Sequence, residues 1–181
     1  MSGEAWFTLL VAAVALERLA ELVVSRRNAD WSLARGGVET GRGHYAPMVV
    51  LHTGLLVGAL AEVWLRRPDV AWPGAAAAFA LVVGSQALRW WCIATLGRRW
   101  NTRVIVVPGM PPVDGGPYRL LRHPNYVAVV VEGFALPLVH SAWVTAVVFT
   151  VFNAALLTVR LRVENQALAA LPVRAGAEAS S

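Results

Sequence analysis

Two short stretches of this chain carry residue types that an ordinary apolar segment does not need. The first is RLLRHPNY, residues 119–126, where two arginines, a histidine, an asparagine and a tyrosine surround a proline. Pro124 suits the first turn of a helix, where its missing N–H costs nothing. His123 then falls near the N-cap, and Tyr126, three residues later, shares a face with it. The free amide donors and partial positive charge of such a helix start favour an anion or a carboxylate. The second stretch is RLRVENQAL, 160–168, in which Arg160 and Glu164 share one helix face and Arg162 and Gln166 another. On an exposed helix such a pair contributes only a few tenths of a kcal/mol. At the cytoplasmic end of a transmembrane helix, a guanidinium and a carboxylate instead form a receptor for a zwitterion with an ammonium and a carboxylate of its own. A third group, Gln86, Arg89 and Trp90, follows i, i+3, i+4 spacing, with Trp100 and Asn101 beyond it. Arg89 lies too deep in an apolar run to be a simple anchor and is read as facing a cavity, which makes Gln86, Arg89, Trp100 and Asn101 candidate substrate contacts.

Other polar residues are read as structural. His52, Glu62 and His140 are lone groups, and Glu132, seven residues after Asn125, is placed on a stripe shared with it. The single cysteine, Cys92, excludes an internal disulfide framework and a multi-cysteine metal site, and its helix-like apolar surroundings make it a small core residue rather than a nucleophile.

The elements that must position these groups are set by composition. Of 181 residues, 57% are hydrophobic and 15% charged, outside the usual soluble range, which makes this an all-α polytopic membrane protein. Apolar runs of roughly 20 residues, enough to cross a bilayer, fall at about 5–24, 45–65 and 74–97. The stretch 127–162 holds a turn-like LPLVHSAW near its middle and reads as a hairpin of two shorter helices, giving about five spans. Residues 1–170 form one membrane-embedded domain, and 171–181 a disordered tail.

All 16 basic residues are arginine. Arg26, Arg27, Arg35 and Arg42 follow the first span, Arg98, Arg99, Arg103, Arg119 and Arg122 the third, and Arg160, Arg162 and Arg174 lie at or beyond the end of the fifth. The intervening loops hold only Arg66 and Arg67. The positive-inside rule therefore puts the N-terminus outside and the C-terminus in the cytoplasm. Topology and anionic headgroups account for the net charge of +5, so no nucleic-acid partner is implied. Glu17, Arg18 and Glu21 interrupt the first run and no basic residue precedes it, so it is read as a retained span rather than a signal peptide. No G-x-G-x-x-G follows a strand, which leaves a nucleotide-like ligand to be held by helix ends and loops. The loop from about 98 to 125 supplies such a holder: Val104–Val107 reads as a short extended piece, and the prolines and glycines from 108 to 117 brace an ordered, turn-rich segment.

GPYRLLRHPNYV, followed by a helical hairpin and then RLRVE, resembles the isoprenylcysteine carboxyl methyltransferase family of integral-membrane enzymes over about residues 84–168. LGRRWNTRVIVVPGMPPVDGGPY is more similar still to bacterial members associated with type III polyketide synthases, which O-methylate alkylpyrone or alkylresorcinol lipids. The resemblance implies S-adenosylmethionine as cofactor, enclosed by Tyr118, Arg122, His123, Pro124 and Tyr126, with Arg160 and Glu164 on its methionine end. His123, Glu164 and Arg160 form the implied catalytic set. Where the family usually has two adjacent glutamates, the second position here is Asn165. The implied reaction is methylation of a membrane-resident lipid at a phenol or enol, by an enzyme of the bacterial cytoplasmic membrane whose site faces the cytoplasm. His123 or Glu164 is the plausible base for such an acceptor, whereas a carboxylate would need none and could be oriented by Arg89. A prenylcysteine carboxylate or a phospholipid amine is the alternative acceptor. A non-catalytic membrane protein that uses its basic loops for headgroup contact is the alternative class.

Overall fold

The computed structural model describes residues 2–169; the expected disordered tail and Arg174 lie outside the described residues. Five α-helices dominate: α1 Gly3–Leu33, α2 Tyr45–Arg66, α3 Trp72–Leu96, α4 Pro124–Leu138 and α5 Trp143–Ala169. Two three-residue strands, β1 Val38–Thr40 and β2 Val104–Val106, pair antiparallel with Glu39 opposite Ile105. The extended piece expected at 104–107 is therefore real, and its partner comes from the loop after α1.

The ends of the helices follow from local chemistry. Ser2 caps α1 by accepting from the Ala5 amide at 3.3 Å. The helix stops where Gly36 takes φ +75° and the Gly37 amide turns back onto the Ser32 carbonyl at 2.9 Å. Pro73 and Pro124 stand in the first turns of α3 and α4. The start of α5 has no acidic residue of its own, and Glu62 of α2 supplies one. Its carboxylate accepts from the Thr145 amide and hydroxyl, both at 2.8 Å, and from the Val144 amide at 3.1 Å. This confirms Glu62 as structural.

α1 and the hairpin depart from expectation. α1 runs 31 residues, so Arg26 and Arg27 lie inside it rather than after it. The hairpin divides unequally: α4 has 15 residues and α5 has 27. The break falls at Val139–Ala142, where Ser141 takes φ +56°. At about 1.5 Å per residue α4 spans roughly 22 Å, short of a hydrocarbon core of about 30 Å. By length and composition, α2, α3 and α5 are able to cross a membrane. Their outward faces are apolar, with Val50, Val57, Val151 and Phe152 exposed. That distribution suits lipid better than water.

The buried side of the bundle is layered along its length. At one end Phe7, Val11 and Val14 of α1 pack with Ala59 and Val63 of α2, Ala78 and Val82 of α3, and Ala135 and Leu136 of α4. A Cβ at Gly133 would run into the Phe149 ring, so this glycine sets how closely α4 meets α5. In the middle layer the buried stripe of α1 turns polar at Glu21, and four buried or half-buried charges meet. The Glu132 carboxylate accepts from Arg89 at 2.5 Å and from Arg18, while Arg18 also bonds Glu21 at 2.6 Å. Gln86 joins this layer by donating to Glu17 and accepting from Arg18 at 3.1 Å. The third layer contains a cavity.

Candidate active site

The cavity, about 220 Å³, lies at the end of the bundle where α1 and α3 finish, α4 begins and α5 finishes. β2, the proline-rich segment 107–113 and Tyr118 close its sides. Gly116 makes the last of these walls possible: its φ is +54°, and a Cβ there would collide with Thr95 of α3. His123 is the N-cap residue of α4, as its position before Pro124 predicts, and its side chain makes no capping hydrogen bond. The imidazole is free to face the cavity. Its ring stacks on Tyr126 with centroids 5.6 Å apart, and its Nδ1 lies 3.4 Å from Glu164 Oε1.

Tyr126 joins the two sequence clusters. Its hydroxyl donates to Glu164 Oε2 and accepts from Arg160 Nε at 2.8 Å. Arg160 and Glu164, which share a helix face, are thus coupled through a phenol on α4. Arg160 is almost fully buried, and its Nη1 also reaches Met48 Sδ at 3.0 Å, a contact from α2 that no spacing in the sequence reveals. Burial, with the Cys92 thiol beside it, pushes the Tyr118 phenol above the usual tyrosine range, so Tyr118 acts as a hydrogen-bond donor and not as a base.

Seven of the expected site residues line this cavity or its rim: Trp100, Asn101, Tyr118, His123, Tyr126, Arg160 and Glu164. Pro124 is buried behind them as the first residue of α4. Three expectations are corrected. Arg122 is exposed and off the cavity wall, because the turn before α4 points it outward. Arg89 and Gln86 do not face the cavity; their charges and dipoles are consumed in the ionic layer below it. Glu132 belongs to that layer, whereas Asn125 lines the cavity, so the stripe proposed for them is divided between two environments. Cys92 is buried core as expected, His52 holds the Met48 carbonyl at 2.8 Å, and His140 packs against Phe7.

A polar ligand suits this wall. His123 Nε2, Asn125 Oδ1 and Asn101 Nδ2 are buried without a hydrogen-bond partner among the described residues, and all three belong to cavity-lining residues. An acid, a base and a guanidinium therefore converge on unpaired donors and acceptors. A model of the isoprenylcysteine carboxyl methyltransferase family matches residues 78–170, which include every member of this constellation from α4 and α5. The chain belongs to that family. A Bacillus subtilis (strain 168) protein named "Uncharacterized protein YpbQ" is 39% identical to it over 164 residues, which cover 90% of this chain and 96% of that protein. This likeness extends beyond the family match into the first two helices. No solved structure matches the chain. As a member of the isoprenylcysteine carboxyl methyltransferase family it is a methyltransferase, and its three long apolar helices fit an integral-membrane one.

Proposed function

We propose that this chain is an S-adenosylmethionine-dependent O-methyltransferase of a cytoplasmic membrane, acting on a lipid whose polar head is a phenol or an enol. The observation that carries this reading is the linked set His123, Glu164, Tyr126 and Arg160 on the wall of one cavity, with imidazole and carboxylate 3.4 Å apart. Glu164 would hold the cofactor's ammonium, and Arg160 with the Asn125 amide at the start of α4 its carboxylate. Tyr118, His123 and Tyr126 would enclose the remainder. Bound there, the cofactor supplies a sulfonium methyl group whose C–S bonding pair returns to sulfur as the acceptor oxygen forms its new bond to carbon.

The work of the protein is positioning and exclusion of water. An anionic oxygen and a sulfonium cancel charge as they react, so a poorly hydrated wall favours the step and alignment supplies much of the rest. His123 would take the proton of a phenolic or enolic acceptor, with Glu164 Oε1 3.4 Å from its Nδ1. With the arginine-rich end of the bundle at the cytoplasm and α2, α3 and α5 crossing the membrane, a lipid head reaches the cavity with its tail among acyl chains. The volume of about 220 Å³ is below the roughly 300–1,000 Å³ of a complete ligand pocket, so a whole nucleoside needs the cavity to widen. A carboxylate acceptor is the second reading, favoured by the family's description. Methyl transfer from labelled cofactor into lipid extracts, with mass identification of the product, tests both: a methylated phenol or enol supports the first, a methyl ester the second, and no labelled product from folded protein refutes them together.

A further inference from the structure

Consecutive residues of the cavity lining carry hydrogen-bond donors that no described residue uses. Trp100 Nε1 and Asn101 Nδ2 are both buried and unpartnered, and both residues line the cavity. Trp100 is 3% exposed. An indole N–H has no acceptor role to fall back on, so an orphaned one is a donor awaiting an acceptor.

The orientation of the Asn101 amide is fixed by its neighbours. Its Oδ1 accepts from Ser25 Oγ at 2.9 Å and from the Arg103 amide at 3.2 Å. Turning the amide over would set its NH2 against the Arg103 N–H. Ser25 is itself held, accepting from the Thr102 amide at 3.0 Å. One turn further along α1, Asn28 Nδ2 donates to the Trp100 carbonyl at 2.7 Å and to the Gly97 carbonyl at 3.2 Å. The polar half of the α1 stripe thus pins both residues, although α1 lies outside the segment matched by the family.

Nearby full positive charges are engaged elsewhere. Arg99 donates to the Pro111 carbonyl at 2.7 Å, and Arg103 lies 3.7 Å from Glu39 and over the Tyr45 ring. Arg89 is paired in the layer below. An oxygen held by Trp100 and Asn101 accepts from neutral N–H dipoles, and the guanidiniums of Arg99, Arg103 and Arg160 on the same cavity add a positive field that favours its anionic form.

We propose that Trp100 Nε1 and Asn101 Nδ2 form the binding site for the anionic oxygen of the methyl acceptor, with Ser25 and Asn28 as positioning residues. This rests on the methyltransferase reading and narrows the acceptor to an enolate, phenolate or carboxylate, against a neutral amine. The test uses the full chain in detergent and an alkyl nitrophenol, whose phenolate absorbs visible light, without cofactor or turnover. Binding to the unaltered protein raises the phenolate fraction at fixed pH. Asn101→Asp keeps both contacts to Oδ1 but replaces the donor with an acceptor, and phenolate binding falls at least about tenfold, the worth of one hydrogen bond to a charged group. Ser25→Ala weakens it and Ser25→Thr restores it, because the hydroxyl is the side-chain donor that, with the Arg103 amide, fixes the orientation of Asn101. S-adenosylhomocysteine affinity stays within about twofold in the two Ser25 variants, whose side chain lies off the cavity lining, which separates this site from the cofactor site. Unchanged phenolate binding by Asn101→Asp and Trp100→Phe, or no phenolate binding by unaltered protein that binds S-adenosylhomocysteine, overturns the proposal. Phenolate binding without S-adenosylhomocysteine binding leaves this site standing and removes the cofactor reading instead.

Discussion

Replacing Tyr126 with Phe removes one oxygen and both hydrogen bonds that tie α4 to the end of α5. The two partners lose unequal amounts. The Glu164 side chain is 27% exposed, so water replaces the lost donor there at little cost. Arg160 is 6% exposed, and nothing replaces the acceptor at its Nε. Counting only that bond, at about 1.5–3 kcal/mol for a hydrogen bond to a charged group, unfolding becomes easier by the same amount. At about 2–4 °C per kcal/mol for a chain of this size, the thermal midpoint in detergent drops by about 3–12 °C. Cofactor affinity falls as well, because Glu164 and Arg160 lose the group that holds them in register, and about tenfold weaker S-adenosylhomocysteine binding is expected. Calorimetric titration and thermal unfolding of the same purified variant measure both. A midpoint and an affinity that both match the unaltered protein would refute the bridge through Tyr126.

Glu132→Ala strips the carboxylate shared by Arg18 and Arg89 and leaves buried positive charge uncompensated, so thermal or denaturant unfolding shows a loss of about 3–5 kcal/mol; a loss under about 1 kcal/mol contradicts the ionic layer. Gly133→Ala forces a methyl into the Phe149 ring and costs about 1–3 kcal/mol, part of which returns in the double variant with Phe149→Leu. Burial raises the Tyr118 phenol, so its contribution to stability is complete below the ordinary tyrosine pKa of about 10 and is lost as pH rises above it; stability of the unaltered protein therefore falls more steeply above that pH than that of Tyr118→Phe, and parallel curves contradict the burial argument. Amide exchange in segment 107–113 changes on adding S-adenosylhomocysteine, because the cavity has to open for it; exchange identical with and without ligand contradicts that opening.

Local chemistry makes the start of α4 legible in the sequence: Pro124 fixes φ and lacks a donor, so His123 has to be the cap and Tyr126 its neighbour on one face. The i, i+4 spacing likewise places Arg160 beside Glu164. What spacing within one helix cannot show is a meeting across helices. Arg89 reads as cavity-facing because its partners, Glu132 on α4 and Glu21 on α1, are separated from it by long stretches of chain. The same holds for Met48 against Arg160 and for β1 against β2. α1 extends past the apolar run that ends near residue 24 because Ser25, Asn28 and Ser32 are buried there, and Ser25 and Asn28 bond the loop after α3. The turn-like LPLVHSAW contains the observed break at Val139–Ala142, and the hairpin is unequal because α5 runs on past the apolar stretch to Ala169.

The central claim is that the His123, Tyr126, Arg160 and Glu164 constellation binds a charged methyl donor. Titration of S-adenosylhomocysteine into the unaltered protein and into Glu164→Gln, which keeps the shape of the side chain and removes its charge, tests it most directly. Saturable one-to-one binding by the first, weakened about tenfold or more in the second at an unchanged thermal midpoint, is the predicted result. Equal affinities in the two proteins, or no binding by either while both remain folded, would contradict it.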